Sequence, residues 1–364
     1  MRITTPARGA GLAAAAALSQ TLSACSLGGT SDEPEPADGT AGPADTKVVL
    51  ASHESWSVPE EVLAAFTEQT GYEVEVQAAG DAGTLTNKLV LTKGSPIADA
   101  AFGVDNTFAS RAVSEGVFAD YEPADPPSSV EGFELPDEAA AAALTPVDFG
   151  DVCVNVDDTW FAEKGIEPPA TLDDLADPAY KDLFVTPGAT TSSPGLAFLL
   201  ATIAEYGDGW TDYWERLMAN GTRVTAGWSD AYTVDFTAGG GDGDRPIVLS
   251  YASSPPFTIP EGGDEPTTSA LLDTCYRQVE YAGVLEGASN PEGAKALIDF
   301  LLSPTFQEAL PESMYVFPVD TSVELPELWA QWAKVPDEPL TVDPDEVAAN
   351  RDEWLTTWGE ITTR

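Results

Sequence analysis

The spacing of apolar positions predicts strands alternating with helices from residue 47 onward. Lys47–Ala51 (KVVLA) is a short apolar run of the length of a buried strand. Val62, Leu63 and Phe66 form the apolar stripe of a helix capped by Ser57, with Pro59 in its first turn and Gly71 as its stop. Tyr72–Gln77 alternates as the next strand, Leu85–Thr92 reads as a helix, and Ala98–Phe102 reads as a third strand leading into Gly103-Val104-Asp105-Asn106. Such alternation builds parallel units, whose ligands bind beyond the carboxyl ends of the strands. That rule points at His53–Trp56, Gly80-Asp81 and Asp105-Asn106.

The same grammar resumes after Val152. Phe184-Val185 is a strand, followed by a turn over Pro187–Pro194 and a helix from Gly195 to about Tyr206. A Trp-rich helix is expected over Trp210–Met218, another is opened by Trp228-Ser229, and Ile247–Ser250 is an apolar strand. Gln278–Val284 reads as a strand returning to the first lobe, and Pro291–Leu302 as an amphipathic helix. The last helix runs over Pro344–Ile361 with Asp343 as N-cap; the spacing of Trp354 and Trp358 marks core packing.

The first 24 residues do not belong to this pattern. Arg2 and Arg8 form a basic start, and Gly9–Leu18 is an alanine-rich stretch too short to span a bilayer. Leu22-Ser23-Ala24-Cys25 then resembles the lipobox of bacterial lipoproteins, which implies lipidation of Cys25. Residues 26–45 carry Asp32, Glu33, Glu35, Asp38 and Asp45 without a basic residue, the composition of a disordered tether. An export signal (1–24), an anchor with its tether (25–45) and attachment to the outer face of the cytoplasmic membrane by lipid alone are therefore expected.

About 320 residues remain, enough for two lobes. Without residues 1–24 the chain holds 14 Lys and Arg against 61 Asp and Glu, a formal charge of −47. That charge argues against nucleic acid and anionic lipid as partners. Beyond Cys25 only Cys153 and Cys275 are left, an even pair in an oxidising compartment, and a disulfide between them is expected.

Catalytic signatures are missing. His53 is the sole histidine, no nucleophile elbow, P-loop or dinucleotide fingerprint occurs, and the scattered Cys and His do not make a zinc site. Gly239–Asp244 (GGGDGD) is a weak calcium-turn pattern and reads as a surface loop. What stands out are polar-aromatic loops at element ends. Thr190–Gly195 precedes a helix, whose free N–H groups suit an anion or carbonyl. Gly227–Tyr232 and Ser250–Pro255 place Trp228, Tyr232 and Tyr251 beside hydroxyls, surfaces suited to a flat heteroaromatic cation.

From Lys47 to the C-terminus the chain resembles the periplasmic thiamine-binding proteins of bacterial ABC importers. The resemblance rests on pieces in a shared order: Gly103–Asn106, Pro146–Gly150, Thr191–Leu196, Gly227–Tyr232, Val248–Tyr251, Ser253–Pro255, Gln278–Glu280, Leu302–Gln307 and Phe317–Val319. Carried over position by position, it implies ligand contacts from Asp81, Ala82, Ser192, Ser193, Trp228, Tyr251, Ala252, Ser253, Ser254 and Pro255. His53, Glu54, Asp105, Tyr232 and Phe257 are secondary candidates. Ala82 stands where the family often has Gly, while His53 and Phe257 stand where Tyr occurs, changes that bear on the choice among thiamine, its phosphates and related pyrimidines.

The fold expected is α/β: two lobes of the periplasmic-binding type, with mixed sheets flanked by helices and a hinge of strands crossing near Pro146–Val152 and Gln278–Val284. Residues 46–147 plus 283–320 would form one lobe, 148–282 plus 321–364 the other. The resemblance implies a monomeric, non-enzymatic solute-binding protein without cofactor or metal, which hands thiamine to permease subunits. The same fold serving a polyamine, ferric ion or anion stays open, as do an extracellular carboxylate-pair hydrolase and a surface adhesion or sensor protein.

Overall fold

A computed structural model describes residues 46–363. The export signal, Cys25 and the acidic tether lie outside the described residues. Eleven strands make one mixed sheet: β1 (Lys47–Ser52), β2 (Glu73–Ala78), β3 (Ala100–Asp105), β4 (Phe118–Ala119), β5 (Thr145–Asp157), β6 (Phe184–Pro187), β7 (Arg223–Thr225), β8 (Ile247–Tyr251), β9 (Thr268–Ala270), β10 (Tyr276–Leu285) and β11 (Phe317–Pro318). The main path runs β2-β1-β3-β10-β5-β8-β6-β7. β1, β2 and β3 are mutually parallel on one side, as are β6, β7 and β8 on the other.

The two halves meet at β5 and β10, which pair antiparallel with each other; β10 continues onto β3 and β5 onto β8. These are the segments expected to cross. Every residue of the 13-residue β5 is buried, although it contains Asp148, Asp151, Asn155 and Asp157. Burying so many polar groups is tolerable only where each finds a partner or gives up its charge. Asp157 caps the helix Asp158–Lys164 through the Trp160 N–H at 2.9 Å. Asn155 donates to the Tyr251 carbonyl at 3.1 Å. Asp151 takes a two-pronged ion pair from Arg277, at 2.5 and 3.1 Å.

Helix starts differ in detail from the sequence expectation. Pro59 is itself the N-cap of the helix Glu60–Thr70, and the Ser57 hydroxyl bonds to the Ser313 carbonyl instead of capping. Gly71 ends that helix as expected, with φ 78°. Asp81 caps the helix Ala82–Thr92, which begins three residues earlier than the apolar stripe suggested. β3 runs on to Asp105, so that carboxylate closes the strand rather than following it. After Trp228-Ser229 the backbone takes a short π-helical turn over Asp230–Asp235. The last helix, Pro344–Thr362, returns to the second half of the sheet and packs Trp358 edge-on against Trp214 of the helix Trp210–Ala219 at 5.6 Å.

The sulfurs of Cys153 in β5 and Cys275, just before β10, are joined in a disulfide. With 122 residues between its ends, it constrains the unfolded chain strongly. Replacing both cysteines by alanine is expected to lower the unfolding free energy by about 2–5 kcal/mol, read from urea unfolding. Among the described residues no helix is long and apolar enough to cross a membrane.

Candidate functional site

The parallel strands of both halves direct their carboxyl ends at one concave cleft. His53 follows β1, Asp81 follows β2, and Tyr251 ends β8. The cleft is lined by Asp81, Ala82, Ser193, Trp228, Tyr251 and Ser254 of the expected contacts, and by His53, Tyr232 and Phe257 of the secondary ones. Ser192, Ala252, Ser253 and Pro255 are buried just behind that lining, and neither Glu54 nor Asp105 belongs to it.

Asp81 has a part the sequence did not disclose. One carboxylate oxygen accepts from the Ala82 N–H at 2.6 Å and from the Ser193 N–H at 3.3 Å; the other accepts from the Trp228 N–H at 2.8 Å. Ser193 opens the helix Ser193–Tyr206, so the helix terminus expected to suit an anion is filled by the carboxylate of the opposite half. Burial pushes the Asp81 pKa up, while the N–H donors of Trp228 and Ala82 and the charge of His53 oppose the rise. Two further bonds cross the cleft here: Thr84 N–H to the Thr191 carbonyl at 3.1 Å, and Ser55 Oγ to Ser229 Oγ at 3.3 Å. Gly83 makes this approach possible, since a Cβ there would lie 2.7 Å from the Thr191 carbonyl carbon and from the Phe108 ring. The close approach thus falls on Gly83, one residue beyond the departure noted at Ala82.

Aromatic rings form one wall. Trp228 and Tyr232 stack at 5.0 Å with 15° between planes, and Tyr251 stands 6.5 Å from Trp228. A hydroxyl chain fixes this wall: Trp228 Nε1 donates to Ser250 Oγ at 2.9 Å, Ser250 and Ser254 share a 2.7 Å bond, and the Tyr251 N–H donates to Ser254 Oγ at 3.1 Å. The half-buried indole keeps a face for a ligand. Ser253 works at one remove, its hydroxyl donating to the Tyr315 carbonyl at 2.6 Å.

That bond introduces a segment that sequence reasoning passed over. Ser313, Met314, Tyr315 and Val316 line the cleft from far along the chain. Gln278 and Glu280 of β10 form its floor, Gln278 accepting from the Tyr251 hydroxyl at 3.3 Å. Both stand in the amino-terminal part of the strand read over Gln278–Val284, and the rule that looks beyond carboxyl ends passes over such positions. Tyr232, Tyr251 and Tyr315 all reach the lining. Among the described residues no group of three or more His, Cys, Asp or Glu is placed to hold a metal ion. The GGGDGD loop instead packs against backbone carbonyls of 232–236, with Asp244 paired to Arg223 at 2.8 Å.

The sequence matches the family of bacterial extracellular solute-binding proteins over residues 61–337. The chain belongs to that family. As a solute-binding protein it shares the two-lobed periplasmic-binding fold, a mixed sheet flanked by helices. A thiamine-binding periplasmic protein of Brucella abortus is 32% identical over 335 residues, which cover 89% of this chain and 94% of that one. Its Escherichia coli K12 counterpart is 31% identical, over 85% of this chain and 90% of the relative. A solved periplasmic thiamin binding protein superposes with a TM-score of 0.75 at 28% identity, covering 87% of this chain and 96% of that one. The ferric binding protein from Campylobacter jejuni shares the fold alone, with a TM-score of 0.67 at 18% identity over 86% of this chain and 99% of that one.

Proposed function

We propose that this solute-binding protein captures thiamine or a thiamine phosphate in the cleft and delivers it, chemically unchanged, to the permease of an ABC importer. The observation that carries the reading is the stacked Trp228–Tyr232 wall with Tyr251 beside it, lining the same cleft as the carboxylate of Glu280. A flat aromatic face sharing a cleft with a carboxylate favours a heteroaromatic cation through stacking, cation–π and Coulomb attraction. The similarity to thiamine-binding relatives over most of the chain agrees with that chemistry.

In this reading, residues 46–147 plus 283–320 and residues 148–282 plus 321–364 are the two lobes that close on the ligand, with the bonds to Asp81 and Thr191 forming as they meet. The ligand shifts the balance toward closure because only the closed cleft offers it both walls. The protein works as a monomer without a cofactor, held to the outer face of the membrane by a lipid on Cys25.

Calorimetric titration of the purified protein tests this with thiamine, thiamine monophosphate, spermidine and ferric citrate. Saturable one-to-one binding of thiamine or its phosphate, with the ligand recovered intact, is the expected result. Binding of spermidine or iron with no heat from either thiamine form would replace the ligand class while leaving the fold.

A further inference from the structure

Three carboxylates lie side by side across three strands, the middle one, Glu280, lining the cleft. Glu280 of β10 is in register with Asp105 of β3 on one side and with Asp148 of β5 on the other. Directly opposed residues share a face of the sheet, where like charges repel. All three are at most 7% exposed. Asp105 is partly satisfied: one oxygen accepts from the Thr107 N–H, the Thr107 hydroxyl and the Phe108 N–H at 2.7–3.1 Å. Asp148 finds no donor for either oxygen, and the group it faces is Glu280. Three residues along the same strands Arg277 neutralises Asp151, but the floor has no such guanidinium.

What meets Glu280 on its cleft side is His53. The imidazole Nε2 lies 3.6 Å from Glu280 Oε1, is buried and has no hydrogen-bond partner. Its place is prepared by Gly103 (φ 94°), where a Cβ would fall 2.2 Å from the His53 ring. Burial alone would keep His53 neutral, yet the charge of Glu280, with Asp81 and Glu54 behind it, outweighs burial and raises its pKa. Asp148 is pushed well above the carboxylate range by burial and by Glu280. Burial, opposed by Ser193 and Thr107, lifts Asp105 to about 6, Glu280 again adding to the rise. Burial and the neighbouring acids raise the Tyr251 phenol too, so it stays neutral. Burial thus favours the protonated form of Asp148, and the group that stands 3.6 Å from Glu280 to balance its charge is the His53 imidazole.

We infer that Glu280 is the counter-ion for the fixed positive charge of the ligand, and that the His53 proton is a place-holder released to solvent when a monocation enters. This rests on the proposed function and adds to it the residue that selects cation over neutral isostere. Two positive charges cannot share one buried carboxylate cheaply, so the bound thiazolium lowers the proton affinity of His53. Below the pKa of His53 in the empty protein, binding must displace the proton, and Kd rises by about tenfold for each unit of falling pH. Above that pKa, affinity is independent of pH. A neutral ligand leaves the proton in place.

Titration calorimetry of the purified protein with thiamine, in pairs of buffers of different ionisation enthalpy at about pH 6 and about pH 8, counts the protons exchanged. The pyrimidine of thiamine also titrates, so the readout is the difference between wild type and His53→Gln. We expect up to one additional proton released by the wild type at the lower pH and a smaller excess at the higher. His53→Gln should bind with affinity nearly flat in pH, and Glu280→Gln should raise Kd by about tenfold and lose the linkage. The neutral thiophene isostere of thiamine should release no proton. Saturable thiamine binding with equal proton counts in wild type and His53→Gln, or equal release with the neutral isostere, overturns this inference alone. Wild-type protein that binds no thiamine at any pH overturns the proposed function and this inference with it.

Discussion

Replacing Trp228 by alanine is expected to weaken thiamine binding by about 2–3 kcal/mol, roughly 30- to 150-fold in Kd. The indole contributes to the cleft in three ways. Its face is the largest flat surface available to a heteroaromatic ring, its stack with Tyr232 at 5.0 Å holds that second ring in place, and its Nε1 bond to Ser250 ties the wall to β8. Alanine removes all three, whereas Trp228→Phe keeps the face and loses the hydrogen bond, so it should recover most of the affinity. The Trp228 N–H to Asp81 is backbone and survives both changes. Titration calorimetry measures the effect, and a thermal melt of each variant verifies the fold. A Trp228→Ala protein that binds thiamine as tightly as wild type would remove the aromatic wall from the site.

The largest loss of stability is expected from Arg277→Met. Asp151 is wholly buried in β5 and its charge is met by Arg277, which also lies 4.9 Å from the Phe149 ring. Burial raises the Asp151 pKa even with the guanidinium present. Without it the carboxylate is an unpaired buried charge, a loss of about 3–5 kcal/mol. The sign of the pH dependence follows. In the variant the folded-state pKa of Asp151 rises further above the unfolded value, so the folded form gains a proton more readily. The deficit is therefore small near about pH 4 and grows as pH climbs through the folded pKa. Urea unfolding across that range tests this, and Arg277→Met combined with Asp151→Leu should recover part of the loss, since an apolar pair leaves no charge behind.

These two positions show what could and could not be read in advance. Trp228 was visible because it stands at an element end in a polar-aromatic run, and the strand-end rule likewise found His53 and Asp81. The thirteen residues of β5 were legible only in part: four polar residues interrupt its apolar run, and their burial depends on partners distant in sequence, such as Arg277 and Tyr251. Glu280 looked like an ordinary strand residue because its meaning comes from register with Asp105 and Asp148, which one sequence does not display. The 313–316 segment (Ser-Met-Tyr-Val) follows no predicted strand, and it is held at the cleft by bonds from Ser57 and Ser253, both distant in sequence. Asp81 lines the cleft where its strand-end position put it, but its partners across the cleft were not foreseeable, because they belong to the N-termini of elements more than a hundred residues away.

The bond between Cys153 and Cys275 closes a covalent ring whose perimeter includes β6, β7, β8 and β9. A protease that cuts an exposed loop within that ring, such as the one around 261–265, opens the ring without dividing the molecule. Both pieces of a singly nicked chain stay tethered, each still holding strands of the sheet. Such a chain runs as one species until a reductant is added and as two afterwards. Outside the cell, where cut loops are not resynthesised, that connectivity leaves a nicked molecule able to keep its two halves in register.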